Sequence, residues 1–485
     1  MSEYVLHSTG GLSGRRLHWF LAAEAVCLVG AGVAVWLFDA RLSLVFLIAP
    51  FQLAVLALCF KSDTRLLAYF VAVLPLTALE LIPYSFMSFV MYGVVLGLIV
   101  FLRATTFIDA HRESSANRAT AWHRTALVLL GVCVGLALLN AYAHGRQSHF
   151  VVSYSVLAVQ VLLLVWLAVD VPRSIGELRQ IVYVVLTSYA VMCLAFPLVA
   201  TQVGLGSVGK GFIVGHSSVN LNAVGAHAAA FTLVALGAAL DARRNVTRAL
   251  LFVAALLLVV VLVYTKSRGA WLGFGLAFVY VIARTRSFWL ILPTAAVLVL
   301  LLSLDVLHGA LASRVEATST GDPSLLGRLL LWRYAWVVFK DNWLLGVGLE
   351  NFRFVKQFYG WPEPTWYAVR FNSHNLFLEL LADLGIVGSV CFWWLFGGAF
   401  ARVDRIVRRP TCVGRNWLAV GLGAALISFA GHGLFDCIIW QHGAFMALGL
   451  LIGMCLCLER LESSQPAIPS QRFRPEGADN AETLS

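Results

Sequence analysis

FNSHNLFLELLADLGIVGSV, residues 371–390, sets Asn372, Ser373, His374 and Asn375 directly before an apolar run that continues to Phe400. A run of that length can cross a bilayer, which takes about 20 residues as a helix. The polar cluster then marks the place where the chain enters the membrane. Outward from this stretch the chain repeats the pattern. It is 60% hydrophobic and 12% charged over 485 residues, with a mean hydropathy of +0.83, far from the balance of a soluble domain. Apolar stretches bounded by charges predict spans near 18–38, 42–60, 66–82, 84–102, 125–143, 150–171, 181–201, 218–240, 248–265, 270–284, 287–304, 375–400, 416–436 and 441–458. A soluble protein with buried helices would need polar faces, which these segments lack.

Basic residues orient the chain. Arg15, Arg16, Lys61, Arg65, Arg103, Arg124, Arg173, Arg243, Arg284, Arg402 and Arg408 all fall in connections on the side of the N-terminus. The positive-inside rule makes that side cytoplasmic and puts both termini there. The first apolar run is long and is followed at once by others, so it reads as a span and not as a removable leader. The net charge of +10 is spread over loops that meet anionic headgroups, and membrane lipid, not nucleic acid, is its expected partner. Nine cysteines are scattered, mostly within spans, in no disulfide or metal-binding frame. Cys455 and Cys457 read as apolar helix residues.

Nearly all connections are short. The exception runs from Asp305 to Ser373 on the external side, and a loop this long in a compact protein is usually functional. Within it, GDPSLLGRLLLWRYAWVVFKDNW, residues 321–343, predicts a helix with Asp322 as N-cap, Pro323 at the first helical position and an end near Asp341. Arg328, Trp332 and Trp336 then share one stripe. Five of the fifteen tryptophans, Trp332, Trp336, Trp343, Trp361 and Trp366, lie in this loop. Interfacial anchoring is one reading of them, and a wall that stacks on sugar rings is the other.

A second external feature is YTKSRGAW, residues 264–271. Lys266 and Arg268 stand on the face where basic residues are scarce. They read either as snorkelling cations or as an anion clamp, since a guanidinium fork matches phosphate oxygens. Arg328 and Arg370 are possible companions in such a clamp. His374 reads either as a boundary residue or as a general base, because imidazole titrates near physiological pH. Asn372 or Ser373 could cap the following helix, and Glu379 and Asp383 lie deeper on it.

Several of these motifs together resemble the O-antigen ligase and O-antigen polymerase superfamily. They are SRG after a span, GRLLLWRYAW and LLGVGLENF in the large loop, and SHNLFLELLADLGIVG opening the next span. The resemblance covers roughly residues 200–400. HSSVNLNAVGAHAA, residues 216–229, is similar to an external Asn-containing helix start of that family, with Asn220 and Asn222 at the expected place. The chain departs from the pattern where Asn342 and Trp343 precede the glycine-rich turn in place of a proline, and where the upstream motif lacks its proline.

The resemblance implies an all-α integral membrane protein of about 12–14 transmembrane helices with one large periplasmic loop containing helices. Residues 1–304 would form a bundle of about eleven spans. Residues 305–373 would form the loop, 374–460 the C-terminal spans and 461–485 a disordered cytoplasmic tail. It further implies a metal-independent glycosyltransferase of the C type in the bacterial inner membrane, without a cofactor. Its donor would be a glycan on undecaprenyl pyrophosphate, and its acceptor lipid A core or a lipid-linked glycan. By residue, His374 would activate the acceptor hydroxyl. Arg268 and Arg328, with Lys266 and Arg370, would hold the pyrophosphate, while Asn220, Asn222, Trp332, Trp336, Asn375 and Glu379 would be available to the glycan or acceptor. A ligase is the favoured reading and a polymerase the close alternative. A transporter is the reading of another class, for which Glu24 and Glu80 inside spans would be the polar handles.

Overall fold

The computed structural model describes residues 63–78, 118–145, 149–202, 212–214, 217–286, 323–361, 372–409, 416–437 and 441–464. The expected spans 18–38, 42–60, 84–102 and 287–304 lie outside them, as do Glu24, Glu80, Arg370 and the tail from 465. The described helices are α1 (Asp63–Ala78), α2 (Arg118–Ala143), α3 (His149–Asp170), α4 (Ile175–Gln202), α5 (Leu221–Asp241), α6 (Asn245–Tyr264), α7 (Arg268–Thr285), α8 (Pro323–Asp341), α9 (Phe352–Val355), α10 (Leu376–Arg408), α11 (Trp417–His432) and α12 (His442–Ser463). A 3₁₀ turn, Lys356–Tyr359, follows α9, and a two-residue link joins β1 (Phe212–Val214) to β2 (Ser217–Val219) in an antiparallel ribbon. Seven helices, α2 to α6, α10 and α12, are long and apolar enough to cross a membrane. The protein is an all-α integral membrane protein.

The helices carry apolar residues all round, as a lipid-embedded bundle requires. Val128, Leu139, Leu194, Val246 and Val279 are exposed where lipid would lie. The inward faces of α2, α3, α5, α10, α11 and α12 share one core. Ion pairs gather at one end of this bundle. Arg179 Nε donates to Asp241 Oδ2 at 2.9 Å, joining α4 to α5. Asp404 of α10 accepts from Arg284 of α7 at 2.7 and 3.1 Å and from Arg408 at 2.8 Å. Tyr280 adds a fourth bond to the same carboxylate, at 3.1 Å.

Helix α11 is buried along most of its length and touches α5, α7, α10 and α12. Glycines make this possible. A Cβ on Gly273 of α7 would stand 2.3 Å from the Ser428 carbonyl oxygen, and one on Gly237 of α5 would stand 2.5 Å from the Trp417 carbonyl oxygen. Such close backbone approaches replace the hydrophobic drive that lipid cannot supply between helices. Cys455 and Cys457 are buried in α12 as apolar helix residues.

The long segment between α7 and α10 is not a free external loop where it is described. Helix α8 runs Pro323–Asp341 as the sequence predicts and packs Leu331, Ala335 and Val338 against α10 near Leu378 and Ala382. The turn after it enters a break in α10. Gly385 takes φ 64° and ψ −170° inside that helix. The exposed backbone is satisfied by the turn: Ile386 N donates to Trp343 O at 2.7 Å, Val347 N to Ala382 O at 3.0 Å and Gly348 N to Asp383 O at 2.8 Å. A glycine is required on both sides of this crossing. Side chains at Gly346 and Gly385 would fall 2.3–2.4 Å from the opposing backbone.

The close α7–α11 approach makes a stability prediction. Gly273→Val is expected to cost about 1–3 kcal/mol as overpacking, seen as a lower thermal unfolding temperature in detergent. Gly275→Val, where a Cβ meets nothing within 4 Å, is the control expected to unfold near the unmodified temperature.

Candidate functional site

The site lies at the end of the bundle opposite the Asp404 network. Local rules build it first. Asn375, not Asn372 or Ser373 as expected, is the N-cap of α10, and its Oδ1 accepts from the N–H groups of Phe377 and Leu378 at 3.0 Å each. The two residues before it shape the turn. Asn372 Oδ1 accepts from His374 N at 2.9 Å, and Ser373 Oγ accepts from Asn375 N at 3.2 Å. His374 is thereby held at φ 49°, in the left-handed region that a non-glycine residue seldom adopts.

Residues after α11 complete the setting. Leu376 N donates to Gly433 O at 2.7 Å and Asn375 Nδ2 to Leu434 O at 3.1 Å. These bonds bring the start of α10 against the turn that carries Asp436. His374 Nδ1 stands 2.9 Å from Asp436 Oδ1. The imidazole is half-buried while the carboxylate is buried, and Asp436 Oδ1 also accepts from Cys437 N at 2.9 Å. Burial works to raise the Asp436 carboxyl. The adjoining His374, the hydrogen bond to it, His432 and Arg328 outweigh that and hold the group below its ordinary range.

The arginine helix reaches the same place. Arg328 is half-buried on α8, and its charge acts on both Asp436 and His432. One turn along, the Trp332 ring lies 6.4 Å from Phe435. Trp332 Nε1 is buried with no hydrogen-bond partner among the described residues. Trp336 is 48% exposed, and its ring lies 5.3 Å from that of Phe339 instead. The predicted stripe therefore divides, with Trp332 toward the site and Trp336 away from it.

The SRG turn is the third wall. Ser267 caps α7, and Arg268, its first residue, is exposed. Lys266 is half-buried at φ 52°. A Cβ on Gly269 would stand 3.2 Å from His432 Nδ1, so the glycine lets the imidazole pack against the root of the Arg268 helix. Asn220 caps α5 by accepting from Asn222 N at 2.9 Å, and α5 leans on this turn where Gly225 meets Thr265 and Ser267. His432 packs against Gly269, next to Arg268 in sequence, and His374 and Arg328 both act on Asp436.

Residues 252–393 match the family model described as O-antigen ligase. That segment is similar to the O-antigen ligase family. No curated protein matches the chain. The matched O-antigen ligase segment contains Arg268, Arg328 and His374 but ends before His432 and Asp436, which come from the following helix and turn.

Behind His374 lies a buried ionic cluster. Glu379 is buried and its Oε2 accepts from Ser373 N at 2.6 Å, so its carboxylate braces the His374 turn. Asp383 accepts from Glu350 N at 2.6 Å and Phe352 N at 3.0 Å, tying the LLGVGLENF turn to α10. Glu350, at φ 57°, pairs with Arg353 at 3.3 Å. Burial pushes the Glu350 carboxyl up to about 8, with Arg353 opposing and Glu379 adding. Burial likewise pulls the Lys356 amine down to about 7, against Glu379 and Glu350. Ligand atoms of Glu350, Glu379 and Cys437 lie within 4.8 Å of one another. The charges of Arg353 and Lys356 act on both carboxylates.

Sequence reasoning passed over Asp436, His432, Glu350, Arg353 and Lys356. HGLFD, residues 432–436, carried a signal: two polar residues four apart at the outer end of a span. The buried cluster carried none, because only the folded turn puts Lys356 beside Glu379.

The depressed Asp436 pKa makes an acid-stability prediction. A carboxyl that titrates below its ordinary value of 3.8 contributes stability above that pH and loses it as the pH falls. Asp436→Asn is expected to lower the unfolding temperature at pH 7 and to flatten its decline below about pH 4. Parallel acid limbs for the two proteins, measured by thermal unfolding against pH, would remove the pair from the stability of the site.

Proposed function

We propose that the protein transfers a glycan from a polyprenyl pyrophosphate, with undecaprenyl pyrophosphate as the donor carrier, to an acceptor hydroxyl. Transfer takes place at the periplasmic face of a bacterial inner membrane, with both termini cytoplasmic. The observation that carries this reading is the His374–Asp436 pair at 2.9 Å, set at the mouth of α10 beside Arg328 and the Arg268 turn. The carboxylate accepts the Nδ1 proton, which leaves the Nε2 lone pair as the basic site. Asp436 also stabilises the imidazolium that forms.

The step then balances without an added reagent. The acceptor O–H gives its proton to His374 Nε2 as its oxygen bonds to the anomeric carbon. The bond from that carbon to the pyrophosphate oxygen breaks, and its electron pair leaves with the pyrophosphate. Arg268 and Arg328 meet the charge that develops there, with Lys266 and Arg370 as further cations, and fixed guanidiniums stabilise it without reorganising. Displacement from the opposite face inverts the anomeric centre. Trp332, whose Nε1 has no partner among the described residues and whose ring lies near Phe435, and the Asn220 and Asn222 turn are the groups available to sugar. Lipid A core is the acceptor we favour, which makes the reaction ligase-type.

Reconstituted protein supplied with undecaprenyl-pyrophosphate-linked repeats, with and without lipid A core, tests this. Transfer to core without lengthening is expected, whereas a ladder on the carrier alone would make the protein a polymerase. His374→Ala is expected to reduce transfer by about 10²-fold or more with insertion and donor binding kept. Arg268→Lys is expected to remain impaired, since a point charge replaces a fork. Normal turnover by an inserted His374→Ala variant would sink the base assignment.

A further inference from the structure

The break in α10 fixes how deep the α8–α10 connection reaches. Gly385 is nine residues beyond Leu376, so the crossing sits roughly 14 Å down the helix from its first residue at the usual rise. After Asp383, α10 carries no charge until Arg402. Those 18 residues span about 27 Å, close to the hydrocarbon thickness of a bilayer. The crossing therefore falls at the edge of the hydrocarbon, while His374 stands above it at headgroup level. Helix α8 descends between these two levels. Its Arg328 end lies by Asp436 and its far end delivers Trp343 to Ile386 N.

The outward side of this descending hairpin suits that depth. Leu329, Trp336 and Trp343 recur at seven-residue spacing and are 49%, 48% and 57% exposed, and Leu344 at the tip is 46% exposed. Arg333, Lys340 and Asp341 are exposed among them. Apolar and indole side chains interleaved with cations match an acyl surface below and headgroup phosphates above. A tip in water would leave these side chains solvated next to a helix that is itself in lipid.

We propose that the segment between α8 and α9 is a re-entrant membrane anchor, with Trp343 and Leu344 seated in bilayer phospholipid at the edge of the hydrocarbon. By fixing the tip in lipid, the anchor sets the height of Arg328 at the level of headgroup phosphate. The inference rests on the α10 break and the exposed stripe and stands apart from the transfer chemistry.

Nitroxide labels test it directly. Cysteine would be placed singly at Leu344, at Trp343 and at Gly327, an exposed position where a Cβ meets nothing within 4 Å. The full chain would be reconstituted in vesicles of phosphatidylethanolamine and phosphatidylglycerol, with the unsubstituted protein as the control for labelling of native cysteines. Power saturation is expected to show an oxygen-to-nickel accessibility ratio several-fold higher at 343 and 344 than at 327. Nickel access at 343 and 344 equal to that at 327 would place the tip in water and overturn the proposal. An immobile label shielded from both relaxants would overturn it too, because another protein segment would then cover the tip. The two tip positions give independent readings should one variant fail to insert.

Discussion

One backbone exchange supports the arrangement of this protein: the opening of α10 at Gly385 and its repair by the turn at 343–348. A helix in lipid cannot leave its N–H and C=O groups unpaired, and the turn supplies partners to both sides of the break. Because the same turn ends α8 and leads into α9, it fixes the arginine helix and the Glu350–Lys356 cluster relative to His374. Asp383 adds a charged acceptor to the exchange, holding Glu350 N and Phe352 N. Gly346, Gly348 and Gly385 all have positive φ, and the contact needs the absence of a Cβ as much as that freedom.

The site is assembled from helix ends. Asn220, Ser267 and Asn375 cap α5, α7 and α10, and their cation or imidazole neighbours follow from those caps. Helix ends are where a membrane protein can expose polar groups at the level of lipid headgroups. Of the four non-glycine residues with left-handed backbone among the described residues, Lys266, Glu350 and His374 lie near the site, and Arg286 caps the opposite end of α7. Conformations of that kind persist only where surrounding bonds over-determine them, as Asn372, Ser373 and Glu379 do for His374. The buried polar groups behind the turn serve this rigidity, since a polar group stripped of water persists only with hydrogen-bond or charge partners.

At the opposite end, Asp404 gathers Arg284, Arg408 and Tyr280. That network ties α7 to α10 far from the site, while Gly269 and Gly273 let α11 lie close against α7 near it. The two contacts together hold Arg268 and His374, on different helices, at a fixed spacing.

The sequence by itself determined the class of the molecule and its helices. Hydropathy is additive along the chain, so the apolar runs alone mark α2 to α6, α10 and α12. Local capping and proline rules likewise fix α8 from Pro323 to Asp341, and motif order singled out Arg268, Arg328 and His374. What needs two distant segments was invisible to it. Only the tertiary structure decided that Asp436 holds His374, that Glu379 braces Ser373, that Trp332 and Trp336 point to different surroundings, and that the loop's end enters a helix break. Each of these depends on the directed pairing of buried polar groups, which the one-dimensional pattern of apolar and charged residues does not encode.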